Sequence, residues 1–337
     1  MDGTSTKDGV LLEVRDLEMS IFADGGNRIV RAVNGLSFTL RRGRTMGIIG
    51  ESGSGKSMTS LSILRLLPRG ARILGGQVLF DGRNLVSLAE RDLRRMRGRH
   101  IAMILQDPMV SLDPLYRVGD QVAEPLRTHQ GMGGDALRAR VIELLGAVGI
   151  PAPESRFDQY PHQMSGGMLQ RIVGAAAISC GPELLIADEP TTALDPTVQA
   201  QYLDLLEELQ RRTGLALIVI THDLGVAARL CDDVIVMYAG RAAEKAPVRT
   251  LFERPAHPYT QALLSTLPGR RAPDDIKVDA HKRLPTIEGQ PPDLAALPPG
   301  CPFAPRCPRA DAKCRTEMPP EVSLATDHSA ACWYPTT

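Results

Sequence analysis

From residue 11 to residue 40 apolar and polar positions alternate on either side of Asp24-Gly25-Gly26-Asn27. A period of two interrupted by turn-forming residues predicts an antiparallel hairpin or meander. Further on the pattern changes. Short runs that are apolar throughout, 45–50, 101–106, 184–188 and 215–221, read as strands buried on both faces. Helical spacing takes over at 57–67, 134–149, 168–179 and 198–213. Strands alternating with helices predict an α/β fold whose parallel sheet is covered on both sides. The run VIVMYAGRAAE at 234–244 predicts a closing hairpin. After about residue 254 Pro and Gly become dense, and 269–292 has little periodicity, which predicts a linker or irregular loop. The expected organisation is a main domain over 1–254, a small appendage over 255–337, and no internal repeat.

Two of these strands end in residues with chemistry. Gly50, Glu51, Ser52, Gly53, Ser54, Gly55, Lys56 and Ser57 follow the strand TMGII and open a helix. Glycines in such a loop let backbone N–H groups wrap a phosphate, helped by the positive end of the following helix. Lys56 is placed to reach the β- and γ-phosphates of ATP, and the Ser57 hydroxyl to bind Mg²⁺. The strand 184–188 ends in Asp188 followed by Glu189. Beside a phosphate loop, Asp188 is placed to hold Mg²⁺ and Glu189 to polarise the attacking water as general base.

Composition narrows the remaining classes. Lys plus Arg number 39 and Asp plus Glu number 39, so there is no bulk charge to draw the chain to nucleic acid. Aromatic residues are only 4%, too few for an obvious base-stacking surface. No run approaches the ~20 apolar residues of a membrane-spanning helix. The opening MDGTSTKDGVLLEV lacks the charged and apolar regions of a signal peptide, so a cytoplasmic chain is expected.

The ordered set of phosphate loop, Gln106, Ser165-Gly166-Gly167, Asp188-Glu189 and His222 resembles the ATP-binding cassette family over roughly residues 11–250. The resemblance implies a P-loop NTPase cassette with an N-terminal antiparallel β subdomain and a helical subdomain at about 107–182. It implies that Gln106 reaches Mg²⁺ and the γ-phosphate, and that His222 contacts the γ-phosphate. Ser165, Gly166 and Gly167 would be the signature that binds the nucleotide held by a partner subunit, and Asp195 would cross that interface. Two departures stand out: Met168 replaces the usual Gln after the signature, and Phe22 is a candidate rather than an evident adenine-stacking aromatic, the alternative being an ordinary surface or core side chain.

Three longer stretches, QDPMVSLDP from Gln106, YPHQMSGGM from Tyr160 and RPAHPYTQALL from Arg254, look like the oligopeptide, dipeptide and nickel permease ATPases. That likeness implies an importer at the cytoplasmic face of the inner membrane. Its parts would be a second, paralogous ATPase subunit, two transmembrane permeases and an external binding protein, without nucleic acid. Nickel, opine or haem-like cargo, and a soluble cassette in DNA repair or translation, are the alternatives. His257 and Tyr259 are expected to cap and pack a helix. Finally, Cys301, Cys307, Cys314 and Cys332 are separated by five, six and seventeen residues. Four thiolates in a reducing compartment suggest a metal site, either iron–sulfur or Zn²⁺. The tail's similarity to peptide permease ATPases implies a [4Fe–4S] cluster there. Cys180 and Cys231 are expected to be buried small hydrophobes.

Overall fold

The computed structural model describes residues 9–192, 194–267 and 286–336. The first eight residues, Ala193, and most of the 269–292 segment read as a linker lie outside the described residues. The alternating N-terminal pattern forms β1 (Val10–Ala23) and β2 (Arg28–Arg41), joined through a single turn of 3₁₀ helix at Asp24–Gly26. In chain order follow β3 (Thr45–Ile49), β4 (Ala71–Phe80), β5 (Arg83–Asn84), β6 (Ile101–Ile104), β7 (Leu184–Asp188), β8 (Ala216–Thr221), β9 (Asp233–Tyr238), β10 (Arg241–Pro247), β11 (Glu321–Ala325) and β12 (His328–Ala331). Among the described residues one sheet runs β2-β1-β4-β5.

The chain divides into two compact units. One is built chiefly from Leu79–Ile220. In it β6, β7 and β8 lie side by side and parallel, Ile101 opposite Leu184 and Leu184 opposite Ala216. All five residues of β7 and all six of β8 are buried, as expected of parallel strands covered on both faces. The helices Val118–Gln130, Gly134–Ala147 and Gly166–Ile178 pack on one another through Val122, Leu126, Val141, Leu145, Leu169 and Ile172, all buried. Their apolar residues recur at three- and four-residue spacing, which gives each helix one face to bury.

The other unit holds Glu13–Phe38, Met46–Val78 and the chain from Thr221 onward. Here β3 pairs in parallel with β9, β9 with β10 antiparallel, and β10 with β12 antiparallel, Glu244 opposite Ala330. β11 completes the order as the edge strand. The residues after 254 therefore hydrogen-bond into the same sheet as the strand that precedes the phosphate loop. Their hydrophobic contribution is an aromatic cluster. The Tyr259 ring lies 4.6 Å from Tyr238 and 5.4 Å from Phe303, centroid to centroid. Tyr259 and Phe303 are fully buried, and such a side chain contributes roughly 2–3 kcal/mol of burial. Beneath the cluster the Glu244 carboxylate accepts the N–H groups of Ala256 and His257 at 2.8 Å each and pairs with the His328 ring at 2.9 Å. A buried carboxylate supplied with these partners is tolerated where a lone one would be costly.

Candidate functional site

The phosphate loop leaves the end of β3 and enters the helix Lys56–Ile63. Two of its glycines are dictated by space as well as by conformation. Gly50 sits at φ 152° and Gly55 at φ 103°, and a Cβ on them would fall 2.3 Å from the Met237 carbonyl oxygen and 2.1 Å from that of Ala32. No side chain fits there. Lys56 is buried, and its Nζ donates to the carbonyls of Gly50 at 2.8 Å and Glu51 at 3.0 Å. The Ser54 hydroxyl is buried and has no hydrogen-bond partner among the described residues. An unpartnered buried hydroxyl in a loop of convergent amides is a site that an anionic ligand's oxygen would satisfy. The residues present thus fit a nucleotide polyphosphate. Ser57 opens the helix just after Lys56, where its hydroxyl can serve a hard cation.

The same unit carries Phe22 and His222. Phe22 is half-buried near the end of β1, its N–H donating to Gly70 O at 2.8 Å, and the Arg72 guanidinium lies 5.7 Å from its ring centroid. His222 is exposed, directly after β8, where the Asp223 side chain caps the helix Leu224–Leu230.

In the other unit the acids sit as the strand pattern implies. Asp188 is buried at the end of β7, while Glu189 is half-buried. Glu189 holds an unusual backbone, φ 47°, in the region that non-glycine residues seldom occupy. Its N–H donates to Ile220 O at 2.8 Å, and its Oε2 accepts from the Thr192 hydroxyl at 2.9 Å and from Gln106 Nε2 at 3.1 Å. The fold therefore brings Gln106 and Glu189 together although 83 positions separate them in the chain. Strain held in place by such bonds recurs at functional sites.

Ser165 is the N-cap of the helix Gly166–Ile178, its hydroxyl accepting from Met168 N–H at 3.3 Å. Met168 makes this cap contact through its backbone N–H, independent of the side chain that distinguishes it from Gln. A Cβ on Gly167 would meet Val198 at 2.7 Å, so this position is small because the next helix packs on it, whereas Gly166 faces open space. Ser165, Gly166, Gly167, Arg171, Asp195 and Gln201 line one open cavity of about 510 Å³. The Arg171 guanidinium is steadied there by the Val148 carbonyl at 2.9 Å and Gln201 at 3.0 Å, giving the cavity a fixed positive group. Asp195 caps the helix Pro196–Thr213, accepting from Thr197 and Val198 N–H at 3.0 Å.

The expected metal site in the tail does not hold. Cys301, Cys307, Cys314 and Cys332 do line one cavity, yet it offers only about 20 Å³, roughly the room of a single water. Among the described residues no group of three or more His, Cys, Asp or Glu is disposed to hold a metal ion. Burial pushes the Cys301 thiol up to about 11 and raises those of Cys314 and Cys332 as well. The sequence pattern counted thiols but could not show that their arrangement is not that of a ligand set. Of the other two cysteines, Cys231 is buried and raised to about 12, while Cys180 is only half-buried.

Two residues of the site escaped sequence reasoning. His257 is a buried helix cap as expected, its Nδ1 accepting from Tyr259 N–H at 3.0 Å. Tyr259 does more than pack: its hydroxyl accepts the Glu51 N–H at 2.9 Å. Arg306 meets the Glu51 carboxylate through both terminal nitrogens, at 2.6 and 3.0 Å. The separation in sequence, 255 positions for Arg306 and Glu51, left no local signal.

A glycine loop shaped for phosphate, an acidic strand end bonded to a glutamine and a serine-capped signature helix together define a P-loop nucleotide-hydrolysing cassette. Comparison with known proteins makes the class specific. Residues 33–192 match the ABC transporter model and residues 243–314 the oligopeptide/dipeptide transporter C-terminal region. The chain is 50% identical over 331 residues to a probable peptide ABC transporter ATP-binding protein of Sinorhizobium fredii, covering 98% of this chain and 96% of the relative. It is 47% identical over 325 residues to the dipeptide transport ATP-binding protein of Bacillus subtilis, covering 96% of this chain and 94% of the relative. It is 48% identical over 327 residues to the oligopeptide transport ATP-binding protein of Salmonella typhimurium, covering 97% and 94%. Among solved structures, a dimeric ATP-binding cassette in a post-hydrolysis state with ADP and Pi superposes with TM-score 0.64 at 27% identity, over 71% of this chain and 99% of that one. The chain belongs to the ABC transporter family, in the branch that carries the oligopeptide/dipeptide transporter C-terminal region. It is an ATPase of that family, and ATP and Mg²⁺ are what its activity requires.

Proposed function

We propose that this chain binds MgATP at Gly50–Ser57 and hydrolyses it to power import of di- and oligopeptides through a membrane complex. The observation that carries the reading is the pairing of a cassette at 33–192 with a peptide-transporter C-terminal region at 243–314 in one chain. In this reading the loop amides, Ser54 and Lys56 bind the phosphates. Ser57, Asp188 and Gln106 would hold Mg²⁺, which would supply positive charge beside the phosphates. Glu189 takes the proton of the attacking water, Gln106 and Thr192 fixing the direction of its carboxylate. His222 contacts the γ-phosphate, and Phe22 stacks on adenine.

The signature Ser165-Gly166-Gly167 serves the nucleotide of a second, paralogous ATPase subunit. The helix N-terminus and the positive Arg171 in one cavity support an anionic guest there. Asp195 takes part at the same interface. We further propose that 1–254 acts as the cassette, with 107–182 as its helical subdomain, and 255–337 as the peptide-transporter extension. The partners are two transmembrane permeases and, through them, an external binding protein. Val110, Leu115 and Tyr116, exposed at 79%, 81% and 60% beside Gln106, offer the apolar surface such a permease would cover. No helix among the described residues is long and apolar enough to cross a membrane. That fits a subunit held peripherally at the cytoplasmic face by its permeases.

The test is Glu189→Gln within the assembled complex. Nucleotide binding should persist while hydrolysis falls by about 10²- to 10⁴-fold, the usual weight of a general base. Hydrolysis at the wild-type rate in this variant would remove Glu189 from the mechanism.

A further inference from the structure

We infer that Arg306, together with Tyr259, is a positioning residue for the phosphate loop, so that the C-terminal extension sets the loop's affinity for nucleotide phosphates. Every polar handle of Glu51, the second residue of the loop, is engaged. Its N–H donates to the Tyr259 hydroxyl at 2.9 Å, its carbonyl accepts Lys56 Nζ at 3.0 Å, and its carboxylate accepts both Arg306 nitrogens at 2.6 and 3.0 Å. Tyr259 and Arg306 both come from beyond residue 254.

Arg306 is itself immobilised. Its side chain is only 3% exposed. Its Nε donates to Glu288 O at 2.9 Å, Nη2 to Ile287 O at 3.2 Å and Nη1 to Tyr238 OH at 3.3 Å. It ends the 3₁₀ turn Ala304–Arg306, anchored by the preceding Phe303 in the aromatic cluster with Tyr238 and Tyr259. A planar guanidinium held by these three bonds presents one bidentate geometry to the Glu51 carboxylate, which a lysine could not reproduce.

Two physical consequences follow for the loop. Gly50 allows the Gly50–Glu51 peptide to rotate at little cost, and a phosphate cradle binds well only when its amides are fixed beforehand. Tyr259 holds the N–H of that peptide and Lys56 its carbonyl, while Arg306 fixes the Glu51 side chain. Charge is the second consequence. Glu51 places a carboxylate, 27% exposed, within a loop built for polyphosphate. Unpaired, it would repel the ligand; the Arg306 ion pair cancels it.

The proposal rests on Gly50–Ser57 being the ATP site. It is tested by equilibrium binding of MgATP to the full chain, with thermal melting of every variant in parallel. Arg306→Gln uncovers the carboxylate and should weaken binding about tenfold. Adding Glu51→Gln removes the repelling charge and should bring the affinity back to within about threefold of wild type. Tyr259→Phe deletes only the acceptor of the Glu51 N–H and should weaken binding about threefold with the melting temperature nearly kept. Arg306→Gln binding within twofold of wild type, or a double variant no better than the single, overturns the proposal. If Arg306→Gln does not fold, unchanged affinity in Tyr259→Phe overturns it instead. Lys56→Ala is the control: equal binding by wild type and Lys56→Ala sinks the ATP-site reading, whereas normal wild-type binding with an indifferent Arg306→Gln sinks only this proposal.

Discussion

Glu189 follows directly on a fully buried strand, at φ 47°, a conformation costing a non-glycine residue on the order of 1–2 kcal/mol. The Ile220 carbonyl and the Thr192 and Gln106 side chains hold it there. Glutamine is isosteric and keeps these partners, which is why its substitution isolates chemistry from binding. Lys56→Ala, by contrast, removes the buried cation of the phosphate loop; ATP binding measured on the full chain should fall by at least about 100-fold. A third residue gives a pH signature. Burial pushes the His257 imidazole down to about 4 from its ordinary 6.5. Glu244 accepts its backbone N–H, Arg309 lies nearby and disfavours the cation, and Phe303 packs at 6.0 Å. With the folded pKa depressed, the unfolded chain binds the proton first as pH falls. Stability from this group is complete above about 6.5 and declines until about 4, by up to roughly 3 kcal/mol. His257→Asn keeps a capping acceptor without the titration, so its melting temperature should fall less steeply across that window. Lys56, Asp188 and Glu189 were legible because each stands beside its motif in the chain. Arg306 was not, because nothing near it in sequence announces Glu51.

The elements read from the apolar runs lie within a few residues of those in the structure, β7 at Leu184–Asp188 without a shift. Continuous burial writes itself into composition. β4 was missed because Gly75 and Gly76 interrupt it and most of its residues are half-buried or exposed. β11 and β12 were missed because strands of five and four residues, Glu-Val-Ser-Leu-Ala and His-Ser-Ala-Ala, are too short to carry a sustained apolar or alternating pattern. The pairing of β12 to β10, and of β11 to β12, could be found only in three dimensions. Phe303 anchors that tail, so Phe303→Ala should cost about 3–5 kcal/mol by denaturant unfolding and loosen Arg306 with it. On the other unit, the segment from Leu105 through the helix Pro108–Ser111 to Tyr116 displays apolar side chains to solvent. Leu115→Asp should leave MgATP binding of the full chain as it is and lower hydrolysis in the complex several-fold, if a permease covers this surface.

At the scale of the molecule, sequence motifs spread from residue 50 to residue 264 identified the family because each is local and their order is fixed. What stayed out of reach was spatial: the tail's place in the sheet, its grip on the phosphate loop, and the small volume enclosed by its four cysteines. Among the described residues those four cysteines are not disposed to hold a metal ion, which corrects their reading as ligands. The chain's central claim to function is that ATP turnover at Glu189 drives peptide across a membrane. Its most direct test is uptake of a radiolabelled dipeptide and of a longer peptide into vesicles bearing the complete transporter, with ATP hydrolysis followed in the same sample. Wild type should accumulate peptide only with MgATP, and Glu189→Gln should lose uptake and hydrolysis together while still binding ATP. Peptide accumulating at the wild-type rate in the Glu189→Gln complex, or without ATP, would contradict the account.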